Sequence, residues 1–150
     1  MKVIKGDLVK LAVADEFDVI VHGCNCFCKM GAGIAKQIKE VFPEAYEVDM
    51  LTQKGGELKL GDFNYADIKR DGFEVIVVNA YTQYKYWGEE LLVDYEAIYN
   101  VFSKIKNKFT GKSIGIPMIG AGLAGGDWVT IENIISTLMS DEDITVVEFE

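Results

Sequence analysis

A chain of 150 residues, 49% apolar and with two prolines, is long enough to bury roughly 70% of its unfolded surface. One unit spanning residues 1–150 is expected, and disorder and low complexity are excluded. The 24 acidic against 15 basic residues give a net charge of −9, which works against a long nucleic acid as partner. The three cysteines, all within Cys24–Cys28, make no disulfide framework, and no apolar run nears the ~20 residues of a membrane span. A cytoplasmic monomer with no membrane partner is expected.

Lys2–Lys5 alternates as a short first strand stopped by Gly6-Asp7, and Leu8–Ala12 makes a brief helical or irregular return. Asp18–Gly23 is a near-continuous apolar run, the pattern of a strand covered on both faces. After the glycine turn Met30-Gly31-Ala32-Gly33-Ile34, residues Ile34, Ala35, Ile38, Val41 and Phe42 recur at helical spacing up to Pro43. A second helix opens on Pro43 and runs toward the Gly55-Gly56 stop. Leu60–Ala66 is expected as an edge strand and Glu74–Asn79 as a central one. A polar and aromatic loop over 81–92 leads to a helix from about Val93 to Lys108, with Tyr95, Ile98, Val101, Phe102 and Ile105 on one side. Ser113–Ile119 is strand, Gly120–Gly125 a glycine-rich loop, Asp127–Met139 a helix and Ile144–Phe149 the last strand. Strands alternating with helices through long crossovers predict a three-layer α/β fold around a mostly parallel sheet.

In such a sheet, ligands bind outside the carboxyl ends of the strands. Both glycine turns, His22, Asn25 and the segment 79–85 fall there and converge on one site. Glycine and alanine let backbone N–H groups approach phosphate oxygens, so two such turns suit a pyrophosphate. Gly120-Ala-Gly122-Leu-Ala-Gly125 spells GxGxxG, but only one strand follows it, whereas a dinucleotide-binding half needs further βα units downstream. His22, Cys24, Cys26 and Cys28 alternate along a strand direction. Same-face neighbours on a straight strand lie ~7 Å apart, too far for one tetrahedral ion, so no metal is expected and buried, reduced cysteines are favoured. His22, the one histidine, is either a satisfied core residue or a catalyst at the strand's end. Asp127 falls near the N-cap of the last helix, where it satisfies free N–H groups and also sets a carboxylate beside the phosphate cradle. Lys104, Lys106, Lys108 and Lys112 cluster at the end of a helix, where they complement its dipole.

In this order and spacing, Gly6-Asp7-Leu8, Val19–Asn25, Met30–Ala35, Val78-Asn79 and Ile119–Leu123 resemble the macrodomain family from Lys5 to Glu150. The resemblance implies an α/β/α macrodomain with a mixed, mostly parallel six-stranded sheet that binds ADP-ribose and carries no cofactor. By it, Asp7 accepts from the adenine amino group with the Leu8 backbone beside it, and Asn25 binds the distal ribose. Gly31, Ala32, Gly33 and Ile34 face Gly120, Ala121, Gly122, Leu123, Ala124 and Gly125 across the pyrophosphate, and the second loop also surrounds the 1'' position.

The His22-Gly-Cys-Asn25-Cys pattern is similar to the yeast-type ADP-ribose-1''-phosphate phosphatases. That likeness implies metal-independent hydrolysis of ADP-ribose-1''-phosphate to ADP-ribose and phosphate, with His22 and Asp127 catalytic. Met30–Ala35 and Gly126-Asp127-Trp128 are similar to branches that remove ADP-ribose from glutamate or from DNA. Those branches carry a lysine just after the position of Thr82, where this chain has Gln83, with Lys85 two residues on. The alternatives are therefore an ADP-ribosyl hydrolase acting on protein or nucleic acid, and a non-catalytic ADP-ribose-binding module.

Overall fold

The computed structural model describes residues 1–150. Its strands are β1 (Lys2–Gly6), β2 (Val19–Cys24), β3 (Phe63–Arg70), β4 (Phe73–Tyr81), β5 (Ile114–Ile116) and β6 (Ile144–Phe149). They form a six-stranded sheet in the order β1-β6-β5-β2-β4-β3. Every neighbouring pair is parallel except β3 with β4. Those two strands meet at Asp71-Gly72, where Gly72 takes φ 90°. Asp-Gly between two strands is a strong short-range hairpin signal, and the hairpin carries the expected edge strand from 60–66 to 63–70. The strand expected over 113–119 stops at Ile116, before Pro117, which has no N–H for a ladder.

Five helices complete the fold: α1 (Leu8–Val13), α2 (Gly33–Val41), α3 (Pro43–Met50), α4 (Tyr95–Phe109) and α5 (Trp128–Leu138). Leu8, Val9, Ile38, Phe42 and Ala45 of α1–α3 and their junctions pack with Ile20, Val77 and Val147 on one face of the sheet. Ile98, Phe102, Ile105, Ile131 and Ile135 of α4 and α5 pack with Val19, Val21, Val78, Ile116 and Val146 on the other. This is the expected three-layer α/β/α arrangement. Helix α4 starts two residues later than the apolar pattern suggests, because the Asp94 carboxylate caps it by accepting from Ala97 N at 3.0 Å. The parallel crossovers leave the segments after β2, β4 and β5 on one edge, together with the end of β6.

Candidate functional site

Two cavities open along that edge and share Gly33, Ile34, Pro117, Met118 and Gly122, so they form one continuous cleft. The first, about 730 Å³, is otherwise lined by Gly6, Leu8, Gln37, Ala121 and Val147–Phe149. The second, about 590 Å³, is lined by Gly23, Cys24, Asn25, Lys29, Gly31, Ala32, Ala35, Thr82, Gln83, Tyr86, Leu92, Ile119, Gly120, Leu123 and Ala124. Both glycine turns thus meet in the second cavity.

What those turns offer is backbone. Ala32, the N-cap of α2, has no side chain that could accept from the helix, and the first N–H to find a partner is that of Lys36, on Ala32 O at 3.3 Å. The N–H groups of Gly33, Ile34 and Ala35 have no acceptor in the protein. In the other loop, the Gly125 and Gly126 N–H groups close turns onto Gly122 O and Gly120 O, while those of Gly122, Leu123 and Ala124 are left open. Open donors and the positive end of a helix suit an anion. The glycines divide the work. A Cβ on Gly126 would lie 2.6 Å from Gly120 O, so that position must stay bare for the loop to close, whereas a Cβ on Gly31 or Gly122 would meet nothing within 4 Å.

Few side chains add charge. Among the lining residues Lys29 is the one cation and Glu148 the one carboxylate, at opposite ends of the cleft. Asn25 lines the second cavity while its amide shapes the turn below: Oδ1 accepts from Phe27 N at 2.9 Å and Nδ2 donates to Lys29 O at 2.8 Å. Asp7 lies just behind the lining formed by Gly6, Leu8 and Gln37. It accepts from Lys10 N at 3.0 Å and from Gln37 Nε2 at 3.0 and 3.1 Å. Burial works to raise its pKa, but these hydrogen bonds outweigh burial and hold the carboxyl below its ordinary value. Gln83 lines the second cavity and donates from Nε2 to Lys85 O at 2.8 Å. Lys85 is paired with Glu90 and lies outside the lining, so its amine does not occupy the place of Gln83.

The residues expected to be catalytic sit elsewhere. His22 is fully buried on the α3 side of β2, with Nε2 2.7 Å from Asn79 Oδ1, and the Asn79 amide donates in turn to Ala45 O and Asn64 Oδ1, each at 2.9 Å. Burial pulls its pKa down to about 4, against the Asn79 bond that works to raise it, so the ring is neutral at pH 7; it lies behind the cleft lining, with Nε2 3.5 Å from Sγ of the lining residue Cys24. Asp127 is exposed at the head of α5, where its Oδ2 accepts from Thr130 Oγ1 at 2.7 Å and its N–H donates to Tyr95 Oη at 3.0 Å. Neither Asp127 nor Gly125 lines either cavity, and the structure does not bring His22 and Asp127 together. Cys24 does reach the second cavity, but burial holds its thiol well above the ordinary range and that of Cys26 at about 11, so neither supplies a thiolate.

Lys29, Gln37, Tyr86, the Pro117-Met118 pair and Val147–Phe149 are lining residues that sequence reasoning passed over. One signal was available: the strand-end rule that located the other segments applies equally to the end of β6.

A model of the Macro domain family matches residues 21–135. The chain is 35% identical over 155 residues to an uncharacterized 17.5 kDa protein of Enterobacteria phage T4, an alignment that covers 100% of this chain and 97% of the other. It is 29% identical to the ADP-ribose glycohydrolase OARD1 of Bos taurus, over 97% of this chain and 88% of the relative. A shorter stretch of 48 residues, 32% of this chain and 22% of the relative, is 40% identical to the ADP-ribose 1''-phosphate phosphatase of Aspergillus oryzae. Among solved structures, the macrodomain of Mycobacterium tuberculosis DarG shares the fold, with a TM-score of 0.80 at 21% identity over 99% of this chain and 95% of that one.

Proposed function

The chain belongs to the Macro domain family, and on that footing we propose that it is a hydrolase that binds ADP-ribose and releases the group carried on the 1'' carbon of the distal ribose. The observation that carries the reading is the pair of open N–H runs, Gly33–Ala35 and Gly122–Ala124, which share one cavity. A pyrophosphate fills both, each phosphate accepting from one run. Adenosine then takes the larger cavity, where Asp7 still has acceptor capacity for an amino group after binding Lys10 and Gln37. The distal ribose lies beside Asn25, Thr82 and Gln83. Water attacks there and the carried group departs, with the likeness to an ADP-ribose glycohydrolase over most of both chains as support. No carboxylate or histidine lines this cavity, so water attacks without the roughly 10²–10⁴-fold help of a carboxylate or imidazole base and turnover is slow.

Hydrolysis of ADP-ribose-1''-phosphate is the narrower reading, favoured by the 48-residue likeness to a phosphatase. It asks His22 and Asp127 to act as acid and as activator of water, and their positions outside the lining weigh against it. The test incubates purified protein in EDTA with ADP-ribose-1''-phosphate and, separately, with glutamate-ADP-ribosylated protein, while free ADP-ribose is titrated by calorimetry. The expected result is ADP-ribose binding and its release from the modified protein. Phosphate release that Asp127→Ala abolishes would establish the narrower reading. Tight binding without turnover of either substrate would leave a non-catalytic reader, and absence of ADP-ribose binding would overturn the proposal.

A further inference from the structure

Beside the distal cavity the surface turns apolar. Tyr86 is 48% exposed, Trp87 49%, Leu91 51% and Leu123 81%. Such residues need no explanation singly, but these are contiguous. Tyr86 and Leu123 line the cavity itself, and Trp87 packs edge-on against Tyr86 with ring centroids 5.1 Å apart. On the other side, Leu92 N, next to Leu91, donates to the carbonyl of Ala124, next to Leu123, at 3.0 Å. The rim therefore continues the wall of the cleft outward.

It is also held from below. Phe27 takes Tyr84 and Trp87 edge-to-face, each at 5.0 Å, and lies so close under Gly55 that a Cβ there would be 3.0 Å from its ring. Tyr84 Oη donates to Gly55 O at 2.8 Å, and Cys26 N donates to Tyr84 O at 2.8 Å. Aromatic side chains on a fixed base lose little conformational freedom when a partner covers them.

Charge selects the partner. Lys85 lies over the Trp87 ring, 5.9 Å from its centre, but is paired with Glu90, so that cation is balanced and Lys29 and Glu89 are left as flanking charges of opposite sign, on a chain of net charge −9. Single-stranded nucleic acid is held by aromatic platforms together with a basic groove. This rim has the platform without the groove. Tyr, Trp and few charges are instead the make-up of the centre of a protein–protein contact.

We propose that the rim of Tyr86, Trp87, Leu91 and Leu123 docks the polypeptide segment flanking an ADP-ribosylated residue, whose ADP-ribose occupies the cleft. The inference rests on the ADP-ribose reading of that cleft. Free ADP-ribose and a peptide joined to ADP-ribose through a hydrolysis-resistant linkage are titrated by calorimetry into the wild-type chain and into Trp87→Ala, a position outside the cleft lining. The conjugate is expected to bind the wild type about 10-fold more tightly than free ADP-ribose. Trp87→Ala removes that gain and leaves the affinity for free ADP-ribose within about twofold, while Leu91→Ser removes part of it. Equal affinities for the two ligands in the wild type, or a gain that survives both substitutions, overturns docking. A gain shown by an ADP-ribosylated single-stranded oligonucleotide and not by the peptide overturns the class of partner. Failure of free ADP-ribose to bind the wild type overturns the cleft reading and the rim with it, and the free-ligand titration alone reports that case.

Discussion

The cleft and the polar cluster behind it make opposite use of hydrogen-bonding groups, although β2, and β4 with the segment that follows it, contribute to both. Behind the sheet, His22 is tied to Asn79, Asn79 to Asn64, and Tyr81 Oη donates to Asp49 Oδ1 at 2.7 Å; no buried side-chain nitrogen or oxygen is left unpaired. In the cleft, the N–H groups of Gly33–Ala35 and Gly122–Ala124 have no protein partner. A closed network contributes to stability and has nothing left to offer a ligand, whereas open donors at a solvent-facing helix end and loop can exchange water for a ligand. The open donors of the cleft therefore belong to bare backbone, while His22 is tied into the closed network.

Breaking the closed side should have the largest effect. His22→Ala leaves Asn79 Oδ1 short of a partner and opens a cavity, and the loss of stability in urea should be on the order of 3–4 kcal/mol. ADP-ribose affinity per folded molecule should not change, and an affinity loss at unchanged stability would move His22 to the open side.

Acid probes the same side. His22 titrates near 4 in the native state and near 6.5 when unfolded, so between these values the unfolded chain binds the extra proton and stability falls with falling pH, by roughly 3 kcal/mol in all. Well above pH 6.5 the ring is neutral in both states and contributes no slope. Asp49 acts in the opposite sense: burial raises its pKa, so in acid it takes up its proton earlier in the native state and that state gains. Urea unfolding at pH 7, 5.5 and 4.5 should show a steeper decline in the wild type than in His22→Gln; parallel declines would contradict a buried neutral ring.

On the open side, a Cβ at Gly122 would meet nothing within 4 Å, so Gly122→Asp can be carried by the loop while it sets a carboxylate where the pyrophosphate is proposed to lie. ADP-ribose affinity should drop about 100-fold or more with little change in Tm, and loss of both together would mean that the loop is framework too. The mildest change is Lys29→Met, which removes the one cation of the lining. It should weaken ADP-ribose about 10-fold at low salt and less at high salt, with stability within about 0.5 kcal/mol of wild type. Salt-independent binding in the wild type would count against any role for Lys29.

Much of the fold was legible before the structure, because the periodicity that defines each element is local. The boundaries that moved did so for local reasons as well: the Asp71-Gly72 turn repositions β3, and the Asp94 cap starts α4 at Tyr95. The glycine turns were legible as parts of a site because bare backbone is itself a composition. The role of His22 was not legible. Asp18–Gly23 runs nearly unbroken in apolar residues, and a strand covered on both faces carries no sign of which helix layer a given side chain meets. Lys29, Gln37, Tyr86 and Phe149 could not be gathered into one cleft from spacing, since they come from the loop after β2, from α2, from the segment after β4 and from the end of β6.

By itself, then, the sequence determined the order of elements, the three-layer class and the two glycine turns, all of which follow from periodicity and from the conformational freedom of glycine. The tertiary structure alone decided that the two turns share a cavity, that their donors stay open, that His22 and Asp127 stand outside it and that an aromatic rim extends it. Those relations depend on strand order and on which layer covers each face, and contacts between segments distant in sequence set both.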